Sequence, residues 1–144
     1  MKTLVIGYGN DLRSDDGAGR VVADRVERLG LPGVTVRSLS QLVPELALEI
    51  AVVDLVVFVD ASIEVGEPTV TPVASQAVEA SPRTHFADPA TLLGMTASVG
   101  PVPGKAFVVS IPVTNLDLGF ELSAATAQAV ELAVELIDDL IRSD

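Results

Sequence analysis

The chain has 144 residues, 49% of them hydrophobic but only 3% aromatic, which suits one compact domain with a core of Val, Leu, Ile and Ala. Its 20 acidic residues against 9 basic ones leave a net charge of −11, which opposes attraction to nucleic acid or anionic membranes. Cysteine is absent, which excludes a thiol nucleophile, a thiolate zinc site and disulfides and fits a reducing cytoplasm. No apolar run approaches the ~20 residues that span a bilayer, so a soluble, cytoplasmic protein is expected, with a monomer as the default.

In chain order, Thr3 to Ile6 reads as a buried first strand, too short for the apolar region of a signal peptide. The turn Gly7-Tyr8-Gly9-Asn10-Asp11 follows. Then Val21, Val22, Val26 and Leu29 recur at helical spacing across Gly19 to Leu29. After Leu31-Pro32-Gly33 a second strand runs from Val34 to Arg37, and a second helix is predicted from about Pro44 to Ala51, with proline suited to its first turn. Asp54-Leu-Val-Val-Phe-Val-Asp60 is a continuous apolar run bounded by acids, the pattern of a strand covered on both faces.

Glu67 to Val73 alternates polar and apolar residues and carries two prolines, which confines it to a sheet edge, antiparallel to its neighbour. A polar stretch from Ser75 to Ala87 leads to a third helix, where Asp88 can cap and Pro89 can take the first helical position. Lys105 to Ile111 is the last strand. Ser123 caps a long final helix reaching about Ile141, with Leu132, Leu136 and Leu140 as its expected buried stripe. Glu131, Glu135, Asp138 and Asp139 read as that helix's solvated face. The alternation predicts an α/β fold, a three-layer α/β/α sandwich around a mainly parallel five-stranded sheet with an antiparallel edge strand.

In such sheets sites lie at the carboxyl ends of the strands, which directs attention to Asn10, Asp15 and Asp16 after the first strand and to Asp60 after the third. The Gly7-Tyr8-Gly9 turn is not a dinucleotide fingerprint. Leu12 stands where that motif places its third glycine, and Asp15 and Asp16 occupy the helix start where a pyrophosphate would sit. A carboxylate ~4 Å from a phosphate oxygen is repelled by roughly 4 kcal/mol at an effective dielectric of 20. Acids at a helix start are also stabilised by the helix dipole, which gives Asp15 and Asp16 a purely structural reading. Asp60 ends a very apolar run and loses hydration unless something pairs with it.

His85, the sole histidine, lies in the loop before the third helix. A lone loop histidine is commonly just solvated. If the loop folds over the first and third strand ends, two carboxylates and an imidazole converge, a donor set suited to Ni²⁺, Zn²⁺ or Mn²⁺. One histidine excludes both the His-Glu-x-x-His zinc helix and a two-histidine iron site. Thr96 before Ala97-Ser98-Val99-Gly100 spoils a serine nucleophile elbow.

The segment from Gly7 through Asn10, Asp15, Asp16 and Gly17 to Gly19 resembles the N-terminal signature of the hydrogenase maturation proteases. Gln41-Leu-Val-Pro44-Glu45-Leu46 is similar to that family's second-helix segment and Val57-Phe-Val-Asp60-Ala61 to its third-strand ending. Thr84-His85 with Leu92-Leu93 resembles its histidine loop and helix, and Leu118 to Ser123 the stretch before its last helix. The resemblance implies that Asp16, Asp60 and His85 are the metal-contacting and catalytic positions; some relatives carry Glu where this chain has Asp16. It implies an α/β/α endopeptidase that removes the C-terminal tail of a nickel-loaded [NiFe]-hydrogenase large-subunit precursor, the precursor presenting the nickel. A noncatalytic metal- or partner-binding protein with the same fold, or a general metallopeptidase with its own zinc, is the competing expectation.

Overall fold

The structure, a computed structural model, describes residues 1–75 and 88–143. Five strands form one sheet: β1 (Thr3–Tyr8), β2 (Val34–Leu39), β3 (Leu55–Ser62), β4 (Thr69–Pro72) and β5 (Lys105–Pro112), in the order β2-β1-β3-β5-β4. All neighbours are parallel except β4, which runs antiparallel to β5 at the edge, as its two prolines require. The helices are α1 (Ala18–Arg28), α2 (Leu46–Ile50), α3 (Pro89–Val99) and α4 (Ala124–Arg142).

Strand alternation assigns each layer. On one face Val5, Val57, Val59, Val109 and Ile111 pack against Val22 and Val26 of α1 and Ala133 and Ile137 of α4. On the other, Leu4, Ile6, Val56 and Phe58 meet Leu46 and Ile50 of α2 and Leu92 and Leu93 of α3. Leu55 to Val59 are essentially without solvent contact, because β3 is central and both of its faces are covered. The predicted α/β/α sandwich is therefore the observed one.

Two helix details differ from the sequence reading. In α4 the leucine row is not the core stripe: Leu132 is 52% exposed, whereas Thr126, Ala129, Val130, Ala133, Val134 and Ile137 are buried. Of the expected row, Leu140 still packs against this core, Leu136 is partly buried and Leu132 faces outward. Glu131 on the outer face pairs with both guanidinium nitrogens of Arg25, which links α4 to α1 at the surface. The second helix starts at Leu46, because the Pro44 carbonyl accepts only from Ala47 in the preceding turn. The predicted caps hold, with Asp88 Oδ1 accepting from the Ala90 N–H at 2.9 Å and Ser123 Oγ from the Thr126 N–H at 3.3 Å.

The chain leaves β1 for β2 on one side and returns for β3 on the other, so the order of strands reverses between β1 and β3. A crevice at the carboxyl ends of these two strands is the consequence of that switch. The start of α1 closes its floor. A Cβ on Gly19 would lie 2.5 Å from the Val59 carbonyl oxygen and 2.7 Å from that of Tyr8, so only glycine lets the helix touch both strand ends.

Candidate functional site

β1 and β3 pair in register with Gly7 opposite Val59, which brings Tyr8 beside Asp60. Asp60 sits inside β3 rather than beyond its end, since the strand continues to Ser62. Asp16 lies in a single 3₁₀ turn, Ser14–Gly17, that joins the glycine loop to α1. Gly9 makes the approach possible. Its φ of +150° belongs to glycine, and a Cβ there would fall 2.0 Å from the Asp16 carbonyl oxygen. The Asp16 carboxylate in turn accepts the Asn10 N–H at 2.9 Å, and Asn10 Oδ1 accepts the Leu12 N–H at 3.0 Å.

Asp16 and Asp60 line one open cleft of about 260 Å³ together with Tyr8 and Gly9, and Ser40 to Leu42 of the loop after β2 close its far side. The two carboxylates sense each other, for the charge of Asp16 helps to raise the pKa of Asp60. Burial is the larger cause of that rise, and the hydroxyls of Ser110 and Tyr8 oppose it. Tyr8 Oη donates to Asp60 Oδ2 at 3.3 Å. Burial, and next the charge of Asp60, push the Tyr8 pKa up, so the phenol keeps its proton and remains a donor. Among the described residues, Asp60 Oδ1 is the buried side-chain oxygen without a hydrogen-bond partner. A desolvated carboxylate with one oxygen free at a cleft is suited to a cation or a proton donor brought by a ligand.

Tyr8 was not singled out in the sequence, although strand alternation contains the signal: Leu4, Ile6 and Tyr8 share a face with Val56, Phe58 and Asp60. Replacing Tyr8 by Phe removes a hydrogen bond to the charged form of Asp60. The Asp60 titration midpoint is therefore expected to rise, as read by carboxyl carbon NMR; a midpoint that stayed put or fell would show that the phenol is not its donor.

Asp15 does not line the cleft. It is fully buried, and its carboxylate accepts from the N–H groups of Thr114, Asn115 and Ser123 at 3.1, 2.9 and 2.7 Å and from the Ser123 hydroxyl at 2.8 Å. Burial alone would raise its pKa, but the backbone donors at Asn115, Ser123 and Thr114 outweigh it and hold the group below the usual carboxylate range. Asp15 thus ties the loop between β5 and α4 to the loop that carries Asp16.

His85, the third expected site residue, lies outside the described residues, as does nearly all of the polar stretch from Ser75 to Ala87. Among the described residues no three His, Cys, Asp or Glu side chains form a cluster, so Asp16 and Asp60 stand as a pair. No helix among them is long and apolar enough to cross a membrane.

No protein-family model matches the chain, and no curated protein matches it in sequence. Solved structures do match it in fold. The hydrogenase maturating endopeptidase HybD from Escherichia coli is 22% identical with a TM-score of 0.78, covering 99% of this chain and 93% of its own. The [NiFe] hydrogenase maturation protease HycI from Thermococcus kodakarensis is 26% identical with a TM-score of 0.73, covering 98% and 92%. An Escherichia coli endopeptidase solved in solution is 26% identical with a TM-score of 0.75, covering 99% and 93%. These likenesses run almost end to end and agree with the resemblance carried by the sequence motifs.

Proposed function

We propose that this chain is an endopeptidase of hydrogenase maturation, one that removes the C-terminal tail of a nickel-loaded [NiFe]-hydrogenase large-subunit precursor. The observation that carries the reading is Asp60: a half-buried carboxylate at the topological switch point, with one buried oxygen unpartnered among the described residues and a second carboxylate, Asp16, on the same cleft. Two adjacent acids in a chain of net charge −11 favour a cationic centre on the incoming substrate. The nickel belongs to the precursor in this scheme. Asp16, Asp60 and His85 contact it, and the contact places the scissile bond in the cleft, so that metal insertion licenses the cut. Tyr8 holds Asp60 by Oδ2 and leaves Oδ1 for the metal. Asp88, at the start of α3, lies near enough to Tyr8 for its charge to help raise the phenol's pKa.

The solved relatives named as hydrogenase maturation endopeptidases support the peptidase assignment. The nickel dependence, the cytoplasmic location and a monomeric working state complete the proposal. Its test is substitution by Ala of Asp16, Asp60 and His85, singly and together, with precursor tail removal followed by intact mass. Each single variant is expected to lose at least about a thousandfold in rate while keeping its circular dichroism spectrum. A triple variant that still trimmed precursor at the normal rate would refute the assignment, and a wild-type protein that bound precursor without cutting it would favour a noncatalytic binding role.

A further inference from the structure

The loop between β5 and α4 is bound to the site loop along its backbone. Ser14 N–H donates to the Gly119 carbonyl at 2.9 Å, Gly119 N–H to the Leu12 carbonyl at 2.9 Å, and Ser14 Oγ to the Asp117 carbonyl at 2.7 Å. Ser14 takes φ +51° to make these contacts, a conformation that a non-glycine residue holds only when its surroundings compel it. Asp15 anchors both ends of the same loop. With the backbone held in this way, Leu118 is 89% and Phe120 83% exposed, the highest values of any large apolar side chain among the described residues, and Leu12 beside them is 52% exposed. A pinned loop that turns two large apolar side chains into water is the form of a preorganised contact surface, because little ordering remains to be done on binding.

We propose that Leu12, Leu118 and Phe120 dock an apolar, positively charged face of the same precursor whose tail enters the cleft. The occupant follows from two features. Asn10 connects the patch to the site, its Oδ1 accepting from the Leu12 N–H while its own N–H donates to Asp16, so the patch is continuous with the loop that lines the cleft and a protein whose tail reaches Asp16 lies beside it. Asp117 and Glu121 flank the patch, both exposed and neither in an ion pair among the described residues, which calls for basic groups around an apolar centre on the partner. The cleft itself is about 260 Å³, room for a few side chains of the tail, so selection of one protein among many needs contacts outside it. The inference rests on the reading of the chain as a precursor-trimming endopeptidase.

The test uses full-length protein and nickel-loaded precursor, with KM and kcat for tail removal measured for wild type, Leu118→Ser/Phe120→Ser and Asp117→Asn/Glu121→Gln. The apolar pair of substitutions is expected to raise KM by about tenfold or more with kcat within about twofold, since buried aromatic and aliphatic anchors dominate interfaces. The acid pair is expected to raise KM less and to reduce its dependence on salt. Both pairs lie on the surface, and an unchanged melting temperature shows that the fold survives. Normal trimming by wild type with unchanged KM in the apolar variant overturns the docking surface and leaves the peptidase reading standing. Wild type that neither trims nor binds the precursor overturns both. A wild-type dimer that dissociates in the apolar variant, with KM unaffected, shows that a second copy of this chain is the occupant and overturns the proposal.

Discussion

Replacing Asp60 by Asn is expected to abolish precursor trimming while making the folded protein more stable at neutral pH. The carboxylate is half-buried and largely desolvated, one of its oxygens has no partner among the described residues, and Asp16 adds a like charge, so its pKa is raised above the ordinary 3.8. A raised carboxyl favours the native state below the ordinary pKa, and that contribution is lost as pH rises through the folded value. Above that folded value Asp60 is charged at a cost to the fold. Asn is neutral, has nearly the same shape, and can still accept from Tyr8. A gain in stability to urea at pH 7 is expected, shrinking as pH falls through the raised folded value and gone at the ordinary 3.8, because function-bearing groups are commonly held against stability. Trimming should fall at least about a thousandfold, since the amide has lost the charge that meets the metal. An Asn variant less stable than wild type at pH 7 would show that Asp60 has a compensating partner and serves the fold.

The opposite sign is expected at Asp15. Its conversion to Ala removes the buried acceptor of the N–H groups of Thr114, Asn115 and Ser123 and of the Ser123 hydroxyl, donors that are themselves part-buried or exposed and can turn partly to water. With water able to reach the Thr114 and Asn115 donors and Thr126 Oγ1 able to accept from the Ser123 hydroxyl, the loss should be about 2 kcal/mol, that of one or two charge-assisted hydrogen bonds. The pKa of Asp15 is lowered in the native state, so its contribution is present above the ordinary value of 3.8 and declines as pH falls through the folded value. Wild type should therefore lose stability on acidification below about pH 4, and Asp15→Ala should lose less over the same range. Urea denaturation at pH 7 and pH 3 measures both. A loss below about 1 kcal/mol at pH 7 would mean that the loop between β5 and α4 finds other acceptors.

These two acids show where sequence reading succeeds and where it stops. Asp60 was visible because its signal is local, a charge ending a run of apolar residues on a strand covered by helices. Asp15 was picked out beside Asp16, but its role as an anchor was not legible, because its partners lie 99 to 108 positions further along the chain and no periodicity announces them. The layers, the antiparallel edge and the caps at Asp88 and Ser123 were legible for the same reason as Asp60, each resting on a short pattern with a direct physical cause. The leucine row of α4 misled because three leucines at intervals of four mark a face without saying which face is core; the Ala and Val residues beside them fit closer to the sheet. Leu118 and Phe120 stood in the sequence only as part of the stretch before the last helix, and their exposure comes from the pinning of their loop by partners far away in the chain.

The central claim is that the carboxylate cleft between β1 and β3 recognises nickel carried by a hydrogenase precursor and cuts the tail only then. Purified protein incubated with nickel-loaded and nickel-free large-subunit precursor from the same genome, with the precursor C-terminus read by intact mass, tests it most directly. Trimming of the loaded precursor alone is the expected result; equal trimming of both forms, or of neither, would contradict it.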